Sequence, residues 1–182
     1  MILLLIAAKR SGKDTCAKYL SQKYNFTHKK ISQRLKDSLK VLFQFDDDQI
    51  EGLKKDEIDE RYNVTPRDTM KWLGTTIFQY EISKFMPFKR DFWISQLVPD
   101  LNRINTDIVL SDVRFQHEID YIKKHTQIPI YSIYIDRYEI DEKDETEKEM
   151  KKMTFDCIIT NRSSYSDLYN ELDKYVLTIS RK

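Results

Sequence analysis

Glycine is scarce in this chain: Gly12, Gly52 and Gly74 are the three among 182 residues. With so few, a glycine inside a candidate ligand loop is not incidental, and Gly12 lies in one. Cysteine is scarcer still. Cys16 and Cys157 are isolated thiols in dissimilar contexts, which excludes a disulfide framework and points to a reduced, cytoplasmic compartment. Neither sign of charge is in excess, with 31 basic and 30 acidic side chains, so a polyanion-coating protein is excluded and no nucleic-acid polymer is expected as partner. No apolar run approaches the length of a membrane span, so no membrane is expected either. The apolar start is too short for a secretory signal, lacks a basic segment before it and runs into Lys9-Arg10. The three histidines have no metal-ligand spacing, and there is no internal repeat or low-complexity linker.

What is present starts at residue 2. Ile2 to Ile6 is a short continuous apolar run, the pattern of a strand covered on both faces of a parallel sheet. Ala7 to Asp14 follows and comes close to the G-x-x-x-x-G-K-[ST] phosphate loop, and Thr15-Cys-Ala-Lys-Tyr-Leu opens a helix. The order strand, loop, helix is what that motif requires. Gly12 lets backbone N–H groups close around phosphate oxygens, and the helix start presents further donors and its positive dipole end. Lys13 can reach the distal phosphates, and the Thr15 hydroxyl can bind a phosphate oxygen. Two positions depart from the motif: Ala7 replaces its first glycine, and Asp14 replaces the Ser/Thr that helps to hold Mg2+. Asp14 could hold the metal directly or through water.

Further along, the first helix is expected to end near Tyr24, and Phe26 to Ile31 is a short strand or extended connection. Residues 31–43 read as a helix with Leu35, Leu39 and Leu42 on one face. Asp46 to Tyr62 reads as short surface helices, with the acidic run at 46–48 as an N-cap and turn. Thr65 and Pro66 form a helix start. That helix is expected to run toward Met86, with Gly74 marking a close approach of another group. The aromatics from Trp72 to Trp93, Phe78 and Phe88 among them, are mostly core, with one or two free to wall a base. Another amphipathic helix is expected from Lys89 to about Asn105. Buried strands are expected at 107–112, ending in a polar cluster of Ser111, Asp112, Arg114, His117 and Glu118, and at 128–135 and 155–160, with helices at 115–125 and from Tyr165 to Tyr175. The charged stretch 138–152 reads as a solvated helix or mobile lid. Strands alternating with helices predict α/β architecture: three layers around a mostly parallel sheet of about five strands. One domain over 1–182 is expected, with a helical region over about 32–105. A phosphate loop, an acidic strand end at Asp112 and arginines near strand ends and helix starts suit phosphoryl transfer, which needs charge neutralised over the moving group.

Several stretches together resemble one family, the deoxynucleoside-monophosphate kinases of large phages and viruses, within the nucleoside-monophosphate-kinase-like P-loop NTPase enzymes. Lys9-Arg-Ser-Gly-Lys-Asp-Thr15 is similar to its loop, including the unusual Asp14. Leu35-Lys-Asp-Ser-Leu39, Arg67 with Leu73-Gly-Thr75, and Arg90 with Phe92-Trp93 resemble its acceptor side. Asp112-Val-Arg-Phe-Gln-His-Glu118 and Ile158-Ile-Thr-Asn161 resemble its later strand ends. Ala7 departs from the family's Gly, and an insertion found in some relatives before the Arg67 helix is missing.

The resemblance implies ATP-dependent transfer of the γ-phosphoryl group to a deoxynucleoside 5′-monophosphate. It implies Lys13 bridging the phosphates, Lys9, Arg10, Ser11, Gly12, Asp14 and Thr15 completing the donor cradle, and Arg137 and Asn161 nearer the donor nucleoside. It places Asp112 and Asp14 on Mg2+ or its waters, and Asp37 beside the acceptor. Arg34, Lys36, Arg67, Arg90 and Arg114, with Trp72 and Phe78, fall to the acceptor and the transition state. A viral source implies the host cytoplasm, and a homodimer is left open. A metabolite kinase of the same fold, of the phosphomevalonate or dephospho-coenzyme A type, is the alternative, ahead of a nucleotide-binding module without catalysis. Aromatic density favours a nucleotide acceptor. A regulatory GTPase would need D-x-x-G and N-K-x-D, and neither string occurs.

Overall fold

Strand β1 (Ile2–Ile6) has every side chain buried, as its uninterrupted apolar run requires. In the computed structural model, which describes residues 1–87, 90–137 and 145–181, β1 is the middle of five strands. The others are β2 (Thr27–Lys29), β3 (Ile108–Leu110), β4 (Ile130–Asp136) and β5 (Cys157–Thr160), in spatial order β2-β3-β1-β4-β5. All pairings are parallel, with Ile2 opposite both Ile108 and Ile130. The chain therefore winds to one side of β1 as far as β3 and then crosses to the other side. In open parallel sheets, the carboxyl end at such a reversal is where ligands gather.

Period-two alternation divides β1 between two faces. Leu3 and Leu5 join Val109, Ile133 and Ile135 in a core with Cys16, Ala17 and Leu20 of α1 (Lys13–Tyr24) and Leu168, Leu172, Val176 and Ile179 of α8 (Tyr165–Ile179). Ile2, Leu4 and Ile6 face the other way and are equally buried, so both faces of the sheet are covered. Each such side chain contributes roughly 1.5–3 kcal/mol relative to exposure. The remaining helices are α2 (Gln33–Phe43), α3 (Asp47–Glu51), α4 (Pro66–Lys71), α5 (Phe92–Leu101), α6 (Gln116–His125) and α7 (Glu145–Met150). This is the expected three-layer α/β architecture. Among the described residues no helix is long and apolar enough to cross a membrane.

The chain divides into two compact units, one of residues 1–30 with 98–182, the other Ile31–Leu97. In the first, three expectations change. β5 is an edge strand with Ile158 exposed, because a sheet edge leaves one flank and part of one face uncovered. α8 runs a turn beyond Tyr175, since Val176 and Ile179 continue its buried stripe. α7 is not fully solvated: Thr146, Glu147 and Met150 are buried despite the charge density around them. Residues 138–144 of the expected lid, like Phe88 and Lys89, lie outside the described residues.

In the second unit Thr65 caps α4 as expected, its Oγ1 accepting the Asp68 amide at 3.0 Å, with Pro66 at the first helical position. The path beyond is not one α-helix. Residues Trp72–Glu81 form a π-helix and Ile82–Lys84 a 3₁₀ turn. Gly74 sits in the π segment, where a Cβ would come within 2.5 Å of Leu35 Cδ2. The buried Trp93 indole N–H donates to the Gly74 carbonyl at 3.2 Å. Close approach at Gly74 is therefore real. Leu42 departs from its expected role: Leu35 and Leu39 are buried, while Leu42 near the helix end is exposed.

Candidate active site

The segment between β1 and α1 bends through two left-handed residues, Arg10 (φ 65°) and Gly12 (φ 94°). Gly12 takes this conformation freely, whereas for Arg10 it costs about 1–2 kcal/mol, so the surroundings must enforce it. Three bonds do so. The Ser11 amide donates to Ala8 O at 3.2 Å, the Asn161 side-chain amide donates to Ser11 O at 2.9 Å, and the Lys9 amide donates to Glu147 Oε1 at 2.7 Å. Asn161 is buried just beyond β5 and stands where a Cβ on Gly12 would meet its Nδ2 at 2.8 Å.

Helix α1 then begins at Lys13 with no side chain among the described residues capping its amino end. The amides of the first turn have no intrahelical acceptor by construction, and the helix dipole adds positive potential at the same place. Ser11 Oγ is buried without a hydrogen-bond partner among the described residues. A bent loop, an uncapped helix start and an orphaned hydroxyl are the chemistry that can seat an anion with several oxygens.

Charge around the seat is arranged along neighbouring strand ends. Lys13 Nζ lies 2.9 Å from Asp14 Oδ2, and Lys30 Nζ lies 3.5 Å from Asp14 Oδ1. Ser111 Oγ donates to Asp14 Oδ1 at 3.4 Å and is 2.6 Å from His28 Nε2. Burial raises the Asp14 carboxyl, but Lys13 and Lys30 together outweigh it and bring it down to about 2. Asp14 is thus an anion at any physiological pH. Burial, followed by Lys30, lowers the His28 imidazole. Cys16, in the next turn, is pushed up to about 12 by burial and is no nucleophile.

Asp112 and Arg114 lie in the turn after β3, and Arg137 follows β4, all three part-buried. Glu118 of α6 is buried, and its Oε2 accepts the Arg114 amide at 2.8 Å and the Phe115 amide at 3.1 Å. Burial overrides those donors and pushes its carboxyl up to about 7. Between the ordinary carboxylate range and that value the folded chain keeps a proton that the unfolded chain gives up, so stability falls as pH rises through the window. Glu118→Gln, whose amide oxygen can accept the same two bonds, is expected to flatten this decline. Urea unfolding of both proteins at about pH 5 and about pH 8 reads the difference.

The remaining expected site residues belong to the second unit. Lys36 is buried and pairs with Glu51 at 2.6 Å. The Arg67 guanidinium grips both carboxylate oxygens of Asp56. Arg34 and Asp37 are exposed on α2, where Gln33 Nε2 donates to Asp37 Oδ1 at 2.9 Å. Arg90 packs over the Tyr80 ring, 4.9 Å from its centroid. Phe78 packs against Phe92 at 4.5 Å and Trp93 at 4.6 Å, an aromatic wall, while Trp72 is half exposed. Sequence reasoning placed Ser111 in a polar cluster at a strand end but did not single out Lys30, His28 and Glu147, or Gln79, which is buried in the π-helix with Oε1 unpartnered among the described residues. Their signals would have been a polar residue at a strand end or a lone amide in an apolar helix.

No group of three or more His, Cys, Asp or Glu side chains that could cage a metal occurs among the described residues. The orphaned Ser11 hydroxyl and the uncapped helix start suit the oxygens of a polyphosphate.

Comparison with known proteins gives a consistent picture. A family model described as deoxynucleotide monophosphate kinase matches residues 42–172. A protein of Acanthamoeba polyphaga mimivirus, named "Putative deoxynucleotide monophosphate kinase", is 32% identical over 187 aligned positions covering 94% of each chain. Among solved structures, shikimate kinase from Aquifex aeolicus vf5 superposes with a TM-score of 0.53 at 13% identity, over 99% of this chain and 98% of that one. Dephospho-CoA kinase from Campylobacter jejuni gives 0.53 at 17% identity, over 99% and 97%. At those identities the two structures establish the shared fold.

Proposed function

Because the chain belongs to the deoxynucleotide monophosphate kinase family, we propose that it transfers the γ-phosphoryl group of ATP to a deoxynucleoside 5′-monophosphate. It is a nucleotide kinase, a phosphotransferase. The observation that carries the donor half is the uncapped start of α1 behind the left-handed Gly12, with Lys13 on its first turn. The metabolite-kinase alternative is not favoured, since the relative matching along nearly the whole chain and the family model both carry a nucleotide-kinase description.

In this reading an oxygen of the acceptor phosphate bonds to the γ phosphorus as the bond to the β–γ bridging oxygen breaks. ADP leaves with that bond's electron pair, and the products are ADP and a deoxynucleoside diphosphate. Negative charge spreads over the moving group, so the protein's task is positioning and neutralisation. The loop amides and Thr15 would hold the donor phosphates, and the Lys13 ammonium would meet the charge that grows between donor and leaving group. Bound Mg2+ would supply further neutralisation, with Asp112 and Asp14 as the carboxylates to hold it or its waters. Arg114 and Arg137 follow strand ends and are the guanidiniums suited to the donor and the transition state.

The acceptor would draw on the second unit: Phe78 with its aromatic neighbours for the base, Arg67, Arg90, Arg34 and Lys36 for the phosphate, and Asp37 for positioning. Arg67 and Lys36 already hold carboxylates, the nearest chemical stand-ins for a phosphate. We place this work in the cytoplasm, the host's if the source is viral.

A coupled assay of ADP release tests the reading. Turnover is expected with one or more of the four common deoxynucleoside monophosphates and absent with phosphomevalonate and dephospho-coenzyme A. Turnover with one of those two metabolites alone would overturn the choice of acceptor.

A further inference from the structure

Glu147 lies on α7 in a stretch whose charge would suit open solvent, yet its side chain is buried. Burying a carboxylate is costly unless donors meet it. One donor it meets is the backbone amide of Lys9, at 2.7 Å, inside the phosphate loop. Lys9 precedes Arg10, the non-glycine residue held in the left-handed region. On the far side of Arg10, Ser11 is held through its carbonyl by Asn161. The conformation that the chain resists is therefore bracketed by two anchors from outside the loop, one from α7 and one from beyond β5.

We propose that Glu147 is a positioning residue for the donor site: by fixing the Lys9 amide it holds the phosphate loop in its ligand-ready bend before any nucleotide arrives. The inference rests on the reading of that loop as the seat of ATP. The Lys9 amide stands upstream of the helix-start amides, so tying it up leaves the donors of the first turn and the Ser11 hydroxyl free. Two opposing effects follow from a carboxylate in this position. Its hydrogen bond preorganises the seat, which favours binding, while its negative charge repels an incoming polyphosphate. Glutamine separates them, because its amide oxygen keeps the acceptor and its charge is gone.

Glu147→Ala, Glu147→Gln and, as a surface control on the same helix, Lys148→Ala are compared for ATP KM, acceptor KM and kcat. Glu147→Ala is expected to raise ATP KM about tenfold, in the range seen when groups supporting a site's ligands are removed, with acceptor KM unchanged. Glu147→Gln is expected to stay within about threefold of wild type or to bind ATP more tightly, because preorganisation survives without the charge. An unchanged ATP KM in Glu147→Ala, or a glutamine variant as impaired as the alanine one, would overturn the proposal. Should the alanine variant not fold, hydrogen exchange at the Lys9 amide of the wild-type protein decides: slow exchange without nucleotide is expected, and exchange at the rate of a free peptide would overturn it. Failure of the underlying reading shows separately, as wild-type protein that does not bind a non-hydrolysable ATP analogue.

Discussion

Lys13→Ala is expected to lower kcat by about a thousandfold or more while the protein stays folded, because stabilisation of charge on a transferring phosphoryl group is worth that much when one cation is removed. The two halves of this expectation have separate grounds. Catalytically, the ammonium is the one lysine on the first turn of α1, where donor phosphates would sit. Structurally, its ion pair in the free protein is with Asp14, a carboxylate that is more than half exposed. Such pairs are worth about 0–1 kcal/mol, so the thermal midpoint should barely move. Asp14 reports on the same change: without Lys13 one of the two cations holding its carboxyl down is gone, so its titration should shift upward toward the ordinary range. Lys13→Arg should rescue little, since a planar fork does not replace a compact ammonium on a flexible stem. Assay of the alanine variant alongside circular dichroism checks both halves. Turnover near the wild-type rate would remove Lys13 from the chemistry.

The parts of the molecule that were legible beforehand share one property, which is that their signal is contiguous. Ile2 to Ile6 must be a doubly covered strand, because five apolar residues in succession cannot show one face to water. Thr65 and Pro66 announce a helix start by local chemistry alone, and the structure has the cap bond where they imply it. The loop from Lys9 to Thr15 reads directly for the same reason. What was not legible depends on neighbours distant in the chain. Asp14, Lys30, Ser111 and His28 meet because parallel strands bring three separate strand ends side by side, and no spacing in sequence encodes that. The π-helix over 72–81 was hidden because ten residues are too few to separate its period from that of an α-helix. Glu147 was hidden by its company: in a run of charges, one buried carboxylate looks like the rest.

Gly12→Ala should damage both stability and donor binding, and the contrast with Gly74 explains why. At Gly74 an added Cβ would press on Leu35 Cδ2, the free end of a side chain that can swing away. At Gly12 the residue itself must hold φ near 94°, where alanine is penalised by about 1–2 kcal/mol wherever its neighbours go. The new Cβ would also sit 2.8 Å from Asn161 Nδ2, in a buried amide that has somewhere to be. Pushing that amide aside breaks its 2.9 Å bond to the Ser11 carbonyl, and a buried acceptor left unpaired costs about 1–3 kcal/mol more. A loss of about 2–5 kcal/mol in urea unfolding is therefore expected, with ATP KM raised because the helix-start amides move with the loop. A double-mutant cycle with Asn161→Ala apportions the damage. If the clash matters, the two substitutions together should cost less than their separate costs added, by about 0.5–3 kcal/mol; if backbone strain is the whole cause, they should simply add. An alanine variant as stable and as tight for ATP as the parent would mean that the loop does not bend through Gly12 in this way, and the anion seat would lose its geometry.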